Sequence, residues 1–283
     1  MPIFIEQLTH TYMPGSILQT QAIHDITLTV EDGEFLGVIG HTGSGKSTLI
    51  QHLNGLLLPT SGRVRVNEFD IADKKSRMEI RKQVGIVFQY PEYQLFEETV
   101  FKDVAFGPHN MKLTEDEVNA RVIEALELVE LDVDEAREKS PFELSGGQKR
   151  RVALAGIIAM KPKYLVLDEP MAGLDPRGHH ILLRLIRKLR ETTGCSIVMV
   201  SHSMDDVARL ADRIAVLNEG ELCMLGTPYE VFTHSDELVA MGLDVPQATR
   251  LAIELRRRGI PVPRGIYNMR QIEDYIKEHL VHV

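Results

Sequence analysis

A chain of 283 residues, 43% hydrophobic and 26% charged, can bury one large core plus an appendage, which excludes a disordered or fibrous protein. Its net charge of −9 opposes contact with nucleic acid or anionic lipid, so any link to a membrane is expected to run through a protein partner. Cys195 and Cys223 match no metal-ligand spacing, no run approaches the roughly 20 apolar residues of a membrane span, and MPIFIEQLTH carries an acid where a signal peptide is basic; a cytosolic chain with reduced thiols is expected.

The first 35 residues read as β structure. AIHDITLTVEDGEFLGVIG alternates apolar and polar residues, turns at Asp32-Gly33 and continues as an apolar strand, Phe35–Ile39. A glycine-rich loop spans 40–45, and a helix is expected over 46–53. GRVRVNEFDI reads as another alternating strand. A short helix should end at 80–84, before a strand over 85–89.

From about Pro91 to Ser145 the pattern turns helical. Thr114 and Glu117 form a capping box, after which Val118, Val122, Leu126 and Val129 fall on one face. Sheet returns as YLVLDEP, followed by a helix from Pro176 that Asp175 is placed to cap. CSIVMVSHS is the next strand, and RIAVLNEGELCMLG reads as a hairpin around Glu219-Gly220. Repeated strand, loop and helix imply an α/β fold with a parallel sheet covered on both faces. After Gly226 only amphipathic helices follow, the last with Ile272, Tyr275, Ile276 and Leu280 on one face. The expected division is one unit over 1–232, helical over about 91–160, and a small helical unit over 233–283.

Gly40-His41-Thr42-Gly43-Ser44-Gly45-Lys46-Ser47 fits the phosphate-loop pattern and lies between a strand and a helix, the context that motif requires. Its glycines let backbone N–H groups converge on phosphate oxygens, and the helix N-terminus adds positive potential. Lys46 is placed for the β- and γ-phosphates and Ser47 for Mg²⁺; Thr48 closes the set of nucleotide contacts. YLVLDEP supplies two carboxylates that alternation along a strand turns apart, Asp168 toward the metal and Glu169 toward an attacking water as general base. A second glycine pair, in LSGGQ, opens another helix, and its start at Ser145-Gly146-Gly147 would point free N–H groups and a hydroxyl outward, toward a phosphate. His179-His180 reads as helix surface rather than a metal site, and RRRG, Arg256–Gly259, as a solvated helix end.

The set of phosphate loop, Gln89, LSGGQ, LDEP, AGLDP and His202 resembles the nucleotide-binding subunit of ABC transporters, from Ile3 to about Phe232. The resemblance implies a P-loop NTPase fold with an antiparallel β subdomain and a helical insertion, and ATP with Mg²⁺ as cofactors. It implies that Ser145, Gly146, Gly147 and Gln148 of one subunit complete the ATP site of the other, with Asp175 reaching across. It also implies that Tyr12 stacks on adenine, that Gln89 contacts the metal and the water, and that His202 stabilises γ-phosphate charge.

FQYPEYQLFEETVFKDVAFGPHN is richer than such a loop needs. Tyr90, Tyr93, Leu95, Phe96, Val100, Phe101, Val104 and Phe106 alternate with Glu92, Glu97, Glu98 and Asp103, partly as core and partly, on the functional reading, as an apolar groove with an acidic rim for a basic helix of a membrane subunit. This stretch, VSHSMDDVARLADRI and AMGLDVPQATRLAIELRRRGI are similar to the ATPases of energy-coupling factor (ECF) transporters, which import vitamins or transition-metal ions into prokaryotic cells, and resemble the second of their two paralogous ATPases. That likeness implies a paralogous ATPase as partner, with a homodimer as the other possibility, a membrane coupling subunit, a substrate-binding membrane subunit, and a peripheral place on the cytoplasmic face of the membrane. It also implies C-terminal helices that hold the ATPase pair together. An ordinary importer ATPase is the nearest alternative. The DNA-acting ABC proteins need a long coiled coil between Lys46 and Ser145, for which the interval leaves no room.

Overall fold

The computed structural model describes residues 2–279, and Leu280 of the predicted helical face lies outside them. Strands β1 (Ile3–Tyr12), β2 (Thr20–Val30), β3 (Phe35–Ile39), β4 (Ser61–Val66), β5 (Phe69–Asp70), β6 (Val84–Val87), β7 (Tyr164–Asp168), β8 (Ser196–Val200), β9 (Arg213–Asn218) and β10 (Glu221–Gly226) make two sheets. One is antiparallel, in the order β2-β1-β4-β5; the other, in the order β10-β9-β3-β8-β7-β6, is parallel except for its edge strand β10.

Every residue of β3, β6, β7 and β8 is buried, which explains why these strands read as apolar runs rather than alternations. Alternation decides instead which core each side chain joins. Leu165, Leu167, Ile197 and Met199 pack with the helices Gly146–Ile158, Pro176–Thr193 and Met204–Leu210, while Tyr164, Val166, Val198 and Val200 pack with the antiparallel sheet and the helix Lys46–His52. The expected cover on both faces is therefore helical on one side and largely a second sheet on the other.

GRVRVNEFDI is not one strand. It folds into β4 and β5 around Asn67-Glu68, with Asn67 at φ 53°, a left-handed conformation that asparagine tolerates better than most residues. The helical insertion follows its sequence signals closely. Thr114 and Glu117 form the reciprocal capping box, and Val118, Val122, Leu126 and Val129 are all buried. The first core continues beyond residue 232 through Leu238, Leu243 and Val245; a separate small cluster of Ala248, Ala252, Val262, Ile266 and Ile272 joins the helices Gln247–Arg257 and Met269–His279.

These features separate core from cap energetically. Leu126→Ala, which empties a fully buried site, is expected to cost about 2–5 kcal/mol of unfolding free energy. Thr114→Ala, which loses only a helix cap, should cost about 1 kcal/mol. Urea titration followed by circular dichroism measures both.

Candidate functional site

The phosphate loop leaves β3 at Gly40 and enters the helix Lys46–His52. Its conformation requires glycine at two places. At Gly40 a Cβ would fall 2.3 Å from Ser44 Oγ, and at Gly45, with φ 97°, it would fall 2.7 Å from the Ala22 carbonyl oxygen. Lys46 is buried; its Nζ donates to the Gly40 and His41 carbonyls at 2.7 and 2.8 Å, across the loop. Burial pushes the Lys46 pKa down, opposed by the charges of Glu169 and Asp168.

Asp168 ends β7, is buried, and accepts a hydrogen bond from Ser47. Burial raises its pKa, Ser47 and Lys46 lower it, and the Glu169 charge raises it further. Glu169 departs from the expected geometry. It does not continue the strand but takes φ 47°, in the left-handed region, while its N–H still donates to the Val200 carbonyl. Its carboxylate lies between two donors: Gln89 Nε2 at 3.1 Å on one oxygen and His202 Nε2 at 2.8 Å on the other. Strand alternation alone did not show this strained residue, and the following Pro170 favours an extended backbone there, so the sequence pointed the other way. Gln89, Glu169 and His202 are thus in contact, as are Ser47 and Asp168, with Lys46 close enough to feel both acids. Tyr12 stands beside the loop, its hydroxyl 3.2 Å from Thr48 Oγ1.

Ser145, Gly146, Gly147, Gln148 and Asp175 gather elsewhere. They line one cavity of about 460 Å³ together with Arg150 and Arg177, and no residue of the phosphate loop lines it. Ser145 caps the helix Gly146–Ile158 in a reciprocal box with Gln148, and Asp175 Oδ1 accepts from Gly178 N–H. At Gly146 and Gly147 an added Cβ would meet nothing within 4 Å, so no packing inside this chain requires glycine there.

A family model described as ABC transporter matches residues 23–172. Across nearly its whole length the chain is similar to energy-coupling factor transporter ATP-binding proteins EcfA2: 54% identical to that of Caldanaerobacter subterraneus subsp. tengcongensis, covering 99% of this chain and 98% of that one, and 53% to that of Clostridium perfringens, covering 98% of each. Among solved structures it resembles cbiO1 of Clostridium perfringens, part of the ABC transporter complex cbiONQ, with TM-score 0.75 and 38% identity over 88% of this chain and 97% of that one. It also resembles the ATP-binding cassette MJ0796, solved as a dimer bound to ADP and Pi, with TM-score 0.70 and 30% identity over 80% of this chain and 98% of that one.

The chain belongs to the ABC transporter family. It is an ATP-hydrolysing transporter subunit of the energy-coupling factor type.

In this ABC ATPase three of the predicted groove residues, Leu95, Phe96 and Phe106, line an apolar depression, whereas Val100 and Val104 are buried in the core, and the rim is not acidic as expected. A depression of about 390 Å³ is lined by Phe96, Phe106, Leu95, Met111 and Met160 and bordered by Arg81 and Lys82 as well as Asp103. Glu92 is engaged elsewhere: both its oxygens accept from Arg150, at 3.1 and 2.8 Å, and Asp103 accepts from the N–H groups of Phe96 and Glu97. Arg150, 3% exposed, also donates to the carbonyls of Pro170 and Ala172. It joins the helix after Ser145 to the segments after Gln89 and Glu169. Sequence reasoning missed it because an arginine in the polar second turn of a helix, in the run Gln148-Lys149-Arg150-Arg151, looks solvated. His179 is not plain helix surface either; its Nε2 lies 2.8 Å from the buried Asp206 carboxylate. Among the described residues no group of three or more His, Cys, Asp or Glu is placed to hold a metal, and none of the helices is long and apolar enough to cross a membrane.

Glu92→Gln leaves the buried Arg150 cation without its anion and is expected to cost about 3 kcal/mol in urea unfolding, well above the effect of removing an exposed, solvent-screened pair such as Glu98 with Lys102.

Proposed function

We propose that two ATPase chains face each other so that the phosphate loop of each meets the Ser145 segment of the other, and that ATP-driven closure powers import through membrane subunits. The observation that supports this is the split of the machinery. Lys46, Asp168, Glu169, Gln89 and His202 form one cluster, whereas Ser145 and Asp175 line a different cavity, beside glycines whose smallness serves nothing within their own chain.

On this reading the backbone of 40–48 and the Lys46 ammonium bind the β- and γ-phosphates. Ser47, Asp168 and Gln89 offer oxygen donors, the ligand type Mg²⁺ takes, and the hydrogen bond between Ser47 and the buried Asp168 fits that group. When bound, Mg²⁺ supplies charge neutralisation at the phosphates. Glu169, held by Gln89 and His202, orients a water and accepts its proton; His202 then has a partner for the charge that develops on the phosphoryl oxygens. From the facing chain the N–H groups of Gly146 and Gly147 and the Ser145 hydroxyl close the γ-phosphate pocket, with Asp175 at its edge.

The partner is a paralogous ATPase or a second copy. The groove lined by Phe96 and Phe106 receives an amphipathic helix of a membrane coupling subunit, beside a substrate-binding membrane subunit, which places the chain peripherally on the cytoplasmic face. The cargo is a vitamin or a transition-metal ion, recognised on another polypeptide. The unit of 1–232, with its helical part at 91–160, carries the chemistry, and the helices within 233–283 hold the pair together while the sites open and close.

Glu169→Gln is expected to lower ATP turnover at least ~100-fold with nucleotide binding retained, as measured by phosphate release and by fluorescent-nucleotide titration. In the purified transporter Ser145→Ala should also lower turnover at least ~10-fold. Full turnover by a strictly monomeric sample of this chain overturns the composite site. Phe106→Asp should reduce co-purification of the membrane subunit while leaving nucleotide affinity intact; undiminished co-purification counts against the groove.

A further inference from the structure

Behind the phosphate loop three aromatic rings run from the core to the surface. His52, completely buried on the helix Lys46–His52, meets His10 of β1 edge to face at 4.8 Å, and His10 meets Tyr12 edge to face at 4.6 Å. His10 is buried and Tyr12 is 39% exposed. Partner chemistry fixes both histidine tautomers, because a carbonyl only accepts: His52 Nδ1–H donates to the Thr48 carbonyl at 2.7 Å and His10 Nδ1–H to the Leu58 carbonyl at 3.0 Å. Burial pushes the His52 pKa down, which keeps it a neutral donor.

Thr48 is the residue on which this stack closes. Its carbonyl accepts from His52, at the inner end, and its hydroxyl meets the Tyr12 hydroxyl, at the outer end. Tyr12, His10, His52 and Thr48 therefore form a closed ring of contacts. Offset or edge-on ring pairs have preferred geometries, so His10 fixes the tilt of Tyr12 and His52 fixes that of His10. One residue of the phosphate-binding helix is thus tied at both faces to the ring beside it.

We propose that His10 and His52 are positioning residues that set the plane of Tyr12 relative to the phosphate loop, and so set affinity for the nucleobase. The proposal rests on the reading of Tyr12 as the base-stacking residue. A base stacked on a well-held ring contributes affinity that a freely tilting ring loses to entropy, whereas the phosphoryl chemistry at Glu169 is untouched.

The test compares ATP and UTP hydrolysis by the full-length chain in its transporter complex. Tyr12→Ala first checks the underlying reading and should raise KM for ATP at least ~10-fold. His52→Phe keeps a ring but deletes the bond to Thr48; it should raise KM for ATP about 5–10-fold, shift KM for UTP, with its smaller ring, by less than about threefold, and put the loss on KM rather than kcat. In a Tyr12→Ala background His52→Phe should have no further effect on KM. Should His52→Phe fail to fold, Tyr12→Phe, which deletes only the tether to Thr48, should raise KM for ATP about threefold. If Tyr12→Ala leaves KM unchanged, the base-stacking reading falls and the proposal with it. If Tyr12→Ala acts but neither His52→Phe nor Tyr12→Phe does, the positioning role alone is overturned. It is overturned equally if the His52→Phe effect persists without Tyr12, or falls equally on both nucleotides.

Discussion

Arg150 is almost completely buried yet carries a full positive charge, and the several kcal/mol needed to desolvate it must be offset by its partners. Arg150 donates four hydrogen bonds that do so: two to the Glu92 carboxylate and one each to the carbonyls of Pro170 and Ala172. The planar guanidinium makes the bidentate pair directional as well as strong. Arg150 and its partners belong to three segments distant in sequence, which carry Ser145, Gln89 and Glu169. The relative placement of Ser145, Gln89 and Glu169 within one chain depends on this ion.

That dependence explains how an insertion with its own helices stays in register with the sheet. Helix-to-helix contacts between apolar side chains resist separation but tolerate small sliding, since dispersion is not directional. A fork of hydrogen bonds does not tolerate it. The turn at Glu169 adds a second constraint: a non-glycine residue at positive φ persists only where its surroundings over-determine it, and here Val200, Gln89 and His202 hold the backbone and both carboxylate oxygens.

Much of this was legible in the sequence because the signals were local. The spacing of Gly40, Gly45, Lys46 and Ser47 is a contiguous geometric demand, and the caps at Thr114 and Asp175 reach only three residues. The separate cavity beside Ser145 was also signalled, by a second glycine pair opening a second helix. What escaped depended on distance along the chain or on backbone angle. Glu92 pairs with Arg150 across 58 positions, so its charge looked available for a rim. The hairpin at Asn67 showed only as a one-residue slip of the alternation at Asn67-Glu68, too brief a signal to separate two strands. The core running on to Val245 was hidden because the helices after Gly226 carry the same periodicity whichever core they serve.

The open space around Gly146 and Gly147 has a consequence for how damage to this protein would present itself. A methyl group at either place disturbs no neighbour, so a polypeptide bearing it would express, resist heat and survive proteases like its parent. On the proposed pairing of two chains, the lesion would exist only in the assembled pair, as a clash with somebody else's phosphate. Inherited or laboratory changes there would therefore be silent to every assay of one chain, and visible only once two are made to meet.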